Sequence, residues 1–314
     1  MFDKEILQYK VGGLLYMPAF QKNIVRKISA NKLLHMNSAA FCLEDSIQDE
    51  SLDEAEASLK IILRELEQLD CKLPLVFVRI RSPRHLETFH ESIGSRSKIL
   101  TGYILPKVDM QNVGAYIELA KQINLPIMPT LESERVASLL TRRTEILSLK
   151  QALDEIKSIV LNIRVGVNDF CKLYGLRRNI NQTIYDIGIV RDVLIDILNV
   201  FAADYVVAGS VWNYFSGKLW AEGLKRELEL DKANGFIGKT AIHPAQLPII
   251  FDSMKVSQTD LDDAKILLDW KSTTHGVMKS SDGSRMNEVK CHLNWARRIK
   301  IFSEIYGTIR NDNA

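Results

Sequence analysis

Residues 233–247 read ANGFIGKTAIHPAQL, and the fold of the whole chain turns on them. Ala233, four further residues and then Gly238-Lys239-Thr240 satisfy a permissive phosphate-loop pattern. A phosphate loop needs a strand before its glycines and a helix starting at the lysine, so that backbone N–H groups cradle the anion. Here the order is reversed. GLKRELELDKAN (223–234), a charged helical pattern, comes before. TAIHP (240–244) follows, and its proline discourages a helix begun at Lys239. FIGKTAI (236–242) therefore reads as a strand entered from a helix.

Seven more short apolar runs precede it. They are GLLYM (13–17), AAFCL (39–43), LVFVRI (75–80), GYILP (102–106), LPIMPT (125–130), IVLNIRVGV (159–167) and DYVVAG (204–209). Most are followed by stretches with apolar residues at helical spacing, such as SLDEAEASLKIILRELEQL (51–69). Strands alternating with helices predict a parallel sheet, and eight is the number that closes a barrel. An open doubly wound sheet is the competitor, but its glycine-rich first turn is missing: the turn here is MPAF (17–20). The expected fold is α/β, a (β/α)8 TIM barrel over residues 1–250. Residues 251–314 then form a C-terminal helical extension, broken at KSSDGS (279–284).

The 314 residues carry 46% hydrophobic and 25% charged side chains and a formal net charge of +2. Nothing in that balance steers the chain toward nucleic acid or a membrane surface. Cys42, Cys71, Cys171 and Cys291 are scattered, with no C-x-x-C, so neither zinc nor a disulfide framework is indicated. The N-terminus MFDKEILQYK lacks an apolar signal region, and no run reaches the roughly 18 apolar residues of a membrane helix. A soluble, unprocessed, cytoplasmic protein with reduced thiols is expected.

Barrel chemistry sits where strands end and βα loops begin. Charged residues stand at or close behind five strand ends: Glu44 with Asp45, Arg79, Lys107, Glu132 and Asp169. One such residue is ordinarily a helix cap or a first-turn acid. Five at one mouth are harder to dismiss. Two carboxylates can hold a hard cation such as Mg2+, which polarises a ketone and stabilises an enolate. An arginine grips a carboxylate in bidentate fashion. A lysine adds positive charge or acts as a Schiff-base nucleophile, so Lys107 leaves a covalent mechanism open.

The segments LLYMPA (14–19), FCLEDS (41–46), FVRI (77–80), GYILPKVD (102–109), PTLES (129–133), RVGVNDFCKLYGLR (164–177) and GFIGKTAIHPAQL (235–247) resemble the citrate lyase β-subunit-like, HpcH/HpaI-type aldolase superfamily. More narrowly, the chain looks like the divergent carbon–carbon-bond-lyase branch associated with bacterial tellurium-resistance and stress gene clusters. The resemblance implies a metal-dependent carbon–carbon lyase or aldolase acting on a small 2-oxo or 3-hydroxy acid or its thioester. It places Mg2+, with Mn2+ as the alternative ion, on Glu132 and Asp169. It places the substrate's carboxylate or enolate oxygen on Arg79, supported by Glu44 and Asp45, and makes Lys107 a charge partner. It implies a homotrimer or hexamer whose C-terminal segment covers a neighbour's site, with Glu288 of GSRMNE (283–288) where relatives using coenzyme A carry a catalytic Asp.

The chain departs from the pattern at Ala19, Cys42, Arg81 and Glu288, where the family commonly has Gly, Asp, Asn and Asp. Arg81 thereby becomes a candidate substrate contact at the mouth. These departures lie on the substrate side and leave open a barrel without turnover, acting as a binding or scaffold component of a stress-response assembly. Outside the mouth, Arg142–Arg143 and Arg177–Arg178 read as solvated faces, with contacts to an anionic substrate as the alternative for the second pair. His243 reads as a structural hydrogen-bonding group, and Trp212, Tyr214 and Trp220 read as packing residues.

Overall fold

The structure is a computed structural model. It describes residues 4–21, 23–30, 32–271 and 274–309. The chain divides into two compact units, Met1–Ile250 and Phe251–Ala314.

The first unit is a parallel barrel. Its strands are β1 (Gly13–Pro18), β2 (Ser38–Cys42), β3 (Leu75–Arg79), β4 (Gly102–Leu105), β5 (Ile127–Leu131), β6 (Ile163–Val165), β7 (Val207–Ala208) and β8 (Lys239–Ala241). The ladder runs β7-β6-β5-β4-β3-β2-β1-β8. A parallel bridge between Gly209 and Lys239 joins the two ends. Around the strands lie α1 (Lys4–Lys10), α2 (Ile24–Ser29), α3 (Leu52–Glu67), α4 (Pro83–Ile93), α5 (Val113–Ile123), α6 (Glu134–Ala137), α7 (Arg142–Asp154), α8 (Val167–Leu173), α9 (Gly188–Phe201) and α10 (Trp220–Asn234).

Local sequence explains the outer layer. Helix α3 buries Ala55, Leu59, Ile62, Leu63 and Leu66, which recur every three or four residues and so share one stripe. Helix α4 starts at Ser82, whose side chain accepts from the His85 N–H, with Pro83 in the first turn where no N–H is needed.

Inside the barrel the period is two. Leu14, Ala40, Phe77, Ile104, Met128 and Leu161 form an apolar floor. Two residues further along three of these strands stand Tyr16, Arg79 and Thr130, all lining the pocket above. The interior thus changes from hydrocarbon to polar groups within one side-chain layer, and that step makes the site.

Several expected elements differ in extent. The run IVLNIRVGV contributes only three strand residues, and α8 already starts at Val167. Asp169 is therefore a first-turn residue of α8, on a helix entered through Gly166. The eighth strand begins at Lys239 rather than Phe236.

The second unit is not purely helical. Besides α12 (Gln258–Leu268) and α13 (Val289–Tyr306), preceded by α11 (Gln246–Ser253), it holds an antiparallel pair, β10 (Val277–Lys279) with β11 (Met286–Glu288), and two-residue strands β9 (Val256–Ser257) and β12 (Thr308–Ile309) that pair in parallel. The expected break at 279–284 is the turn of this hairpin. Ser280 N–H donates to the Arg285 carbonyl at 2.8 Å, and Gly283 takes the positive φ of +73°. Polar turn residues read as a break between helices because the strands beside them are only three residues long. No helix among the described residues is long and apolar enough to cross a membrane.

Candidate active site

Five strand ends deliver charge to one place. Arg79, the last residue of β3, is buried and anchors the group. Its Nη2 lies 2.7 Å from Glu44 Oε2, 3.0 Å from Asp45 Oδ2 and 2.9 Å from Glu132 Oε1. Lys107 Nζ pairs with Glu44 and stands 3.2 Å from Asp45 Oδ1. Its backbone N–H also donates to Glu132 Oε1 at 3.0 Å. That last bond depends on an uncommon conformation, since Lys107 has φ +48°. The left-handed turn aims the amide at Glu132 while the side chain reaches over Glu44 and Asp45.

Glu132 and Asp169 face the same pocket, a cavity of about 340 Å³ also lined by Tyr16, Cys42, Thr130, Arg164 and Thr240. Burial pushes the Glu132 carboxyl up to about 7, with the charge of Asp169 adding to the rise and Arg79 opposing it. Asp169 is raised too, first by burial and then by Asp45. Glu44 is raised by burial against the pull of Arg79. Asp45 goes the other way: burial opposes ionisation, but its bonds to Glu44, Arg79 and Lys107 hold the carboxyl low. Two carboxylates that crowd each other in a buried pocket form an oxygen donor set suited to a hard cation. Among the described residues no cluster of three or more His, Cys, Asp or Glu side chains is positioned as a metal cage. A two-carboxylate set agrees with Mg2+, which keeps several waters and takes one or two protein carboxylates.

Gly166 makes room for this arrangement. A Cβ there would fall 2.0 Å from Glu132 Oε2 and 2.5 Å from Glu132 Cβ, so turning the carboxylate alone does not relieve the clash. Gly166→Ala is expected to cost about 1–3 kcal/mol of stability, as overpacking does. It should also weaken divalent-cation binding. Thermal denaturation with and without Mg2+ reads both, and an unchanged midpoint in both would contradict the close packing.

Arg81 is placed differently from the expectation of a substrate contact. Its Nε donates to the Leu43 carbonyl at 2.7 Å, Nη2 to the Ile47 carbonyl at 2.6 Å, and Nη1 pairs with Asp49. It does not line the pocket and instead ties down the loop that carries Glu44 and Asp45. Glu288 belongs to the second unit, where its backbone N–H donates to His292 Nδ1 at 2.9 Å.

Two solvated-face readings are corrected. Arg142 is buried, bonded to Asp196 Oδ2 at 3.1 Å and to the Ala137 carbonyl at 2.6 Å. Arg178 is buried against Glu227 and donates to the Val211 carbonyl at 2.6 Å. Arg143 and Arg177 are exposed. His243 accepts from the Ala245 N–H at 3.2 Å and stacks on Phe215, as a structural group does. Trp212 is fully buried beneath Arg178.

Sequence reading missed Tyr16, Thr130, Arg164 and Thr240. A usable signal existed: Thr130 stands two residues before Glu132, and period-two alternation puts both on the interior face.

A family model for the C–C bond lyases of the TIM-barrel fold matches residues 5–308. The chain belongs to that family. A curated relative in Cereibacter sphaeroides (strain ATCC 17029 / ATH 2.4.9), a (3S)-malyl-CoA thioesterase, is 26% identical over 243 residues, covering 76% of this chain and 74% of its own. Among solved structures, the family member resembles CitE of Mycobacterium tuberculosis in complex with magnesium, acetoacetate and coenzyme A. That match has a TM-score of 0.62 and 20% identity, over 94% of this chain and 99% of that one. The citrate lyase β subunit of M. tuberculosis with oxaloacetate and magnesium matches at TM-score 0.54 and 20% identity, over 78% and 98%. RipC of Yersinia pestis matches at 0.56 and 15%, over 80% and 98%.

Proposed function

We propose that this family member is a Mg2+-dependent carbon–carbon bond lyase or aldolase acting on a small 2-oxo or 3-hydroxy acid, free or as a thioester. The observation that carries the reading is the convergence of Glu132 and Asp169 on one pocket, with the Glu132 carboxyl pushed up to about 7. These two residues would hold Mg2+ or Mn2+. When bound, the ion supplies the positive charge that a ketone oxygen needs as the neighbouring carbon–carbon bond breaks. The magnesium and small acids in the solved structures support the assignment.

The chain's own groups divide the remaining work. Arg79 is held by three carboxylates, so its guanidinium is fixed in place and presents a rigid cation to the substrate's oxygens. Glu44, raised, and Asp45, lowered, are neighbours whose environments separate their proton affinities, the usual sign of an acid and its ionised partner. Glu44 is the proton carrier in this reading, and Lys107 holds the charge of both. Lys107 is itself held strongly protonated by these acids, which disfavours Schiff-base chemistry. The second unit would bring Glu288 to a neighbour's pocket in a homotrimer or hexamer, which sedimentation of the full chain would test.

The direct test is a screen of oxaloacetate, pyruvate with aldehydes, and malyl- and citramalyl-CoA, reading carbon–carbon cleavage and thioester hydrolysis separately. Cleavage abolished by chelator and restored by Mg2+ is the expected result. Activity indifferent to chelator, or hydrolysis without cleavage, would overturn the reading.

A pH dependence follows from Glu132. Its carboxyl binds a proton more tightly in the folded chain than its ordinary value of 4.5, so its contribution favours folding below that pH and is lost as pH rises through about 7. Mg2+ competes with that proton. Affinity should rise up to about tenfold per pH unit below 7 and level off above it. Calorimetry in two buffers of different ionisation enthalpy should detect proton release near pH 6. A pH-independent affinity between 5.5 and 8 would contradict it.

A further inference from the structure

We propose that Arg164, with the hydroxyls of Thr130 and Thr240, forms a second anion subsite in the pocket, so that the preferred substrate is a small free dicarboxylate. The inference deepens the proposed function and rests on it for the other end of the substrate.

Arg164 is 2% exposed and cannot shed its charge. A buried cation normally stands against a carboxylate. Arg79 has three. Among the described residues none closes an ion pair with Arg164. Its Nη2 donates to Thr240 Oγ1 at 2.6 Å, and its Nη1 has no hydrogen-bond partner. Thr130, the register partner of Arg164 across β5 and β6, has a buried hydroxyl that is likewise unpartnered among the described residues. Because the Thr240 oxygen accepts from Arg164, its own proton remains to be donated. All three side chains line the pocket that holds Glu132 and Asp169.

The Tyr16 ring lies close to both guanidiniums. Its centroid is 5.9 Å from Arg164 Cζ and 6.0 Å from Arg79 Cζ. The pocket thus offers two guanidiniums beside one ring. Only one of them is already neutralised by the protein. A ligand with negative charge at both ends satisfies both regions at once. A thioester carbonyl brings no charge to Arg164, so the subsite selects the free acid.

The test compares L-malate with 2-hydroxybutyrate, in which a methyl replaces the distal carboxylate. Binding to the full chain is measured by calorimetry in Mg2+ and again in chelator. Wild type should prefer malate by about 10- to 100-fold, the range of a charge-assisted contact in a buried site. Arg164→Met should bring the ratio near one, and Thr130→Val and Thr240→Val, close in shape to the native residues, should each reduce it. The preference should persist in chelator, because Arg164 does not depend on the ion. A wild-type ratio near one, or an undiminished ratio in Arg164→Met, overturns the subsite. If Arg164→Met fails to fold, undiminished ratios in both threonine variants overturn it instead. A preserved ratio with no measurable Mg2+ binding supports the subsite and overturns the metal reading.

Discussion

Replacing Glu132 with Gln, or Asp169 with Asn, is expected to lower Mg2+ affinity at least about 100-fold. Loss of a supporting residue around a metal site already costs up to that much. The barrel should survive both changes. In Glu132→Gln the amide oxygen still accepts from the Lys107 N–H, and Arg79 keeps Glu44 and Asp45. Asp169 sits in the first turn of a short helix, where Asn removes charge and little volume. Titration of Mg2+ by calorimetry, with thermal denaturation as the check on folding, decides the matter. Unchanged affinity in both variants would remove the metal from this pocket and the proposed chemistry with it.

The largest effect on stability should come from a residue that does not line the pocket. Lys239, fully buried on β8, stands 2.6 Å from Asp231 Oδ2 and 2.9 Å from Glu227 Oε1 on α10. Glu227 also pairs with Arg178 and accepts from the Ile184 N–H at 2.8 Å, while Asp231 accepts from the Tyr185 hydroxyl at 2.8 Å. Two cations and two anions balance inside the protein. Removing one member strands a buried charge, at a cost of about 3–5 kcal/mol. Lys239→Met should therefore lower Tm by roughly 5–10 °C. The loss should be partly recovered by adding Asp231→Asn, which removes the stranded carboxylate. Differential scanning calorimetry of the single and double variants measures both. A single variant as stable as wild type would show that the quartet contributes nothing.

Lys239 is also the residue that imitates a phosphate loop. Its placement shows what sequence could and could not reveal. The order of helix, glycine and strand was legible locally, and it argued against a phosphate loop at this segment without any knowledge of partners. The mouth residues Glu44, Asp45, Arg79, Lys107, Glu132 and Asp169 were legible for a similar reason, since a charge at the end of an apolar run points to the barrel mouth. Arg142 and Arg178 were not. Their partners, Asp196 and Glu227, lie 54 and 49 residues away in the chain, and a paired guanidinium looks the same as a solvated one until the chain folds. Arg164 and Thr130 were hidden differently. They sit inside strands read as hydrocarbon, above the apolar floor, where the chemistry of the interior changes.

The backbone at Lys107 has an implication for protein engineering. A lysine in the left-handed region gives up about 1 kcal/mol relative to a residue at ease there. Glycine at that position would relax the turn and keep the N–H directed at Glu132. The same change would remove the ammonium that stands against Glu44 and Asp45, so glycine at 107 trades backbone strain for lost charge pairing. A barrel with that change would carry surplus negative charge at its mouth, with Arg79 left as the cation facing Glu44 and Asp45. Any stabilisation campaign on this scaffold should hold that codon fixed, or screen for binding alongside melting.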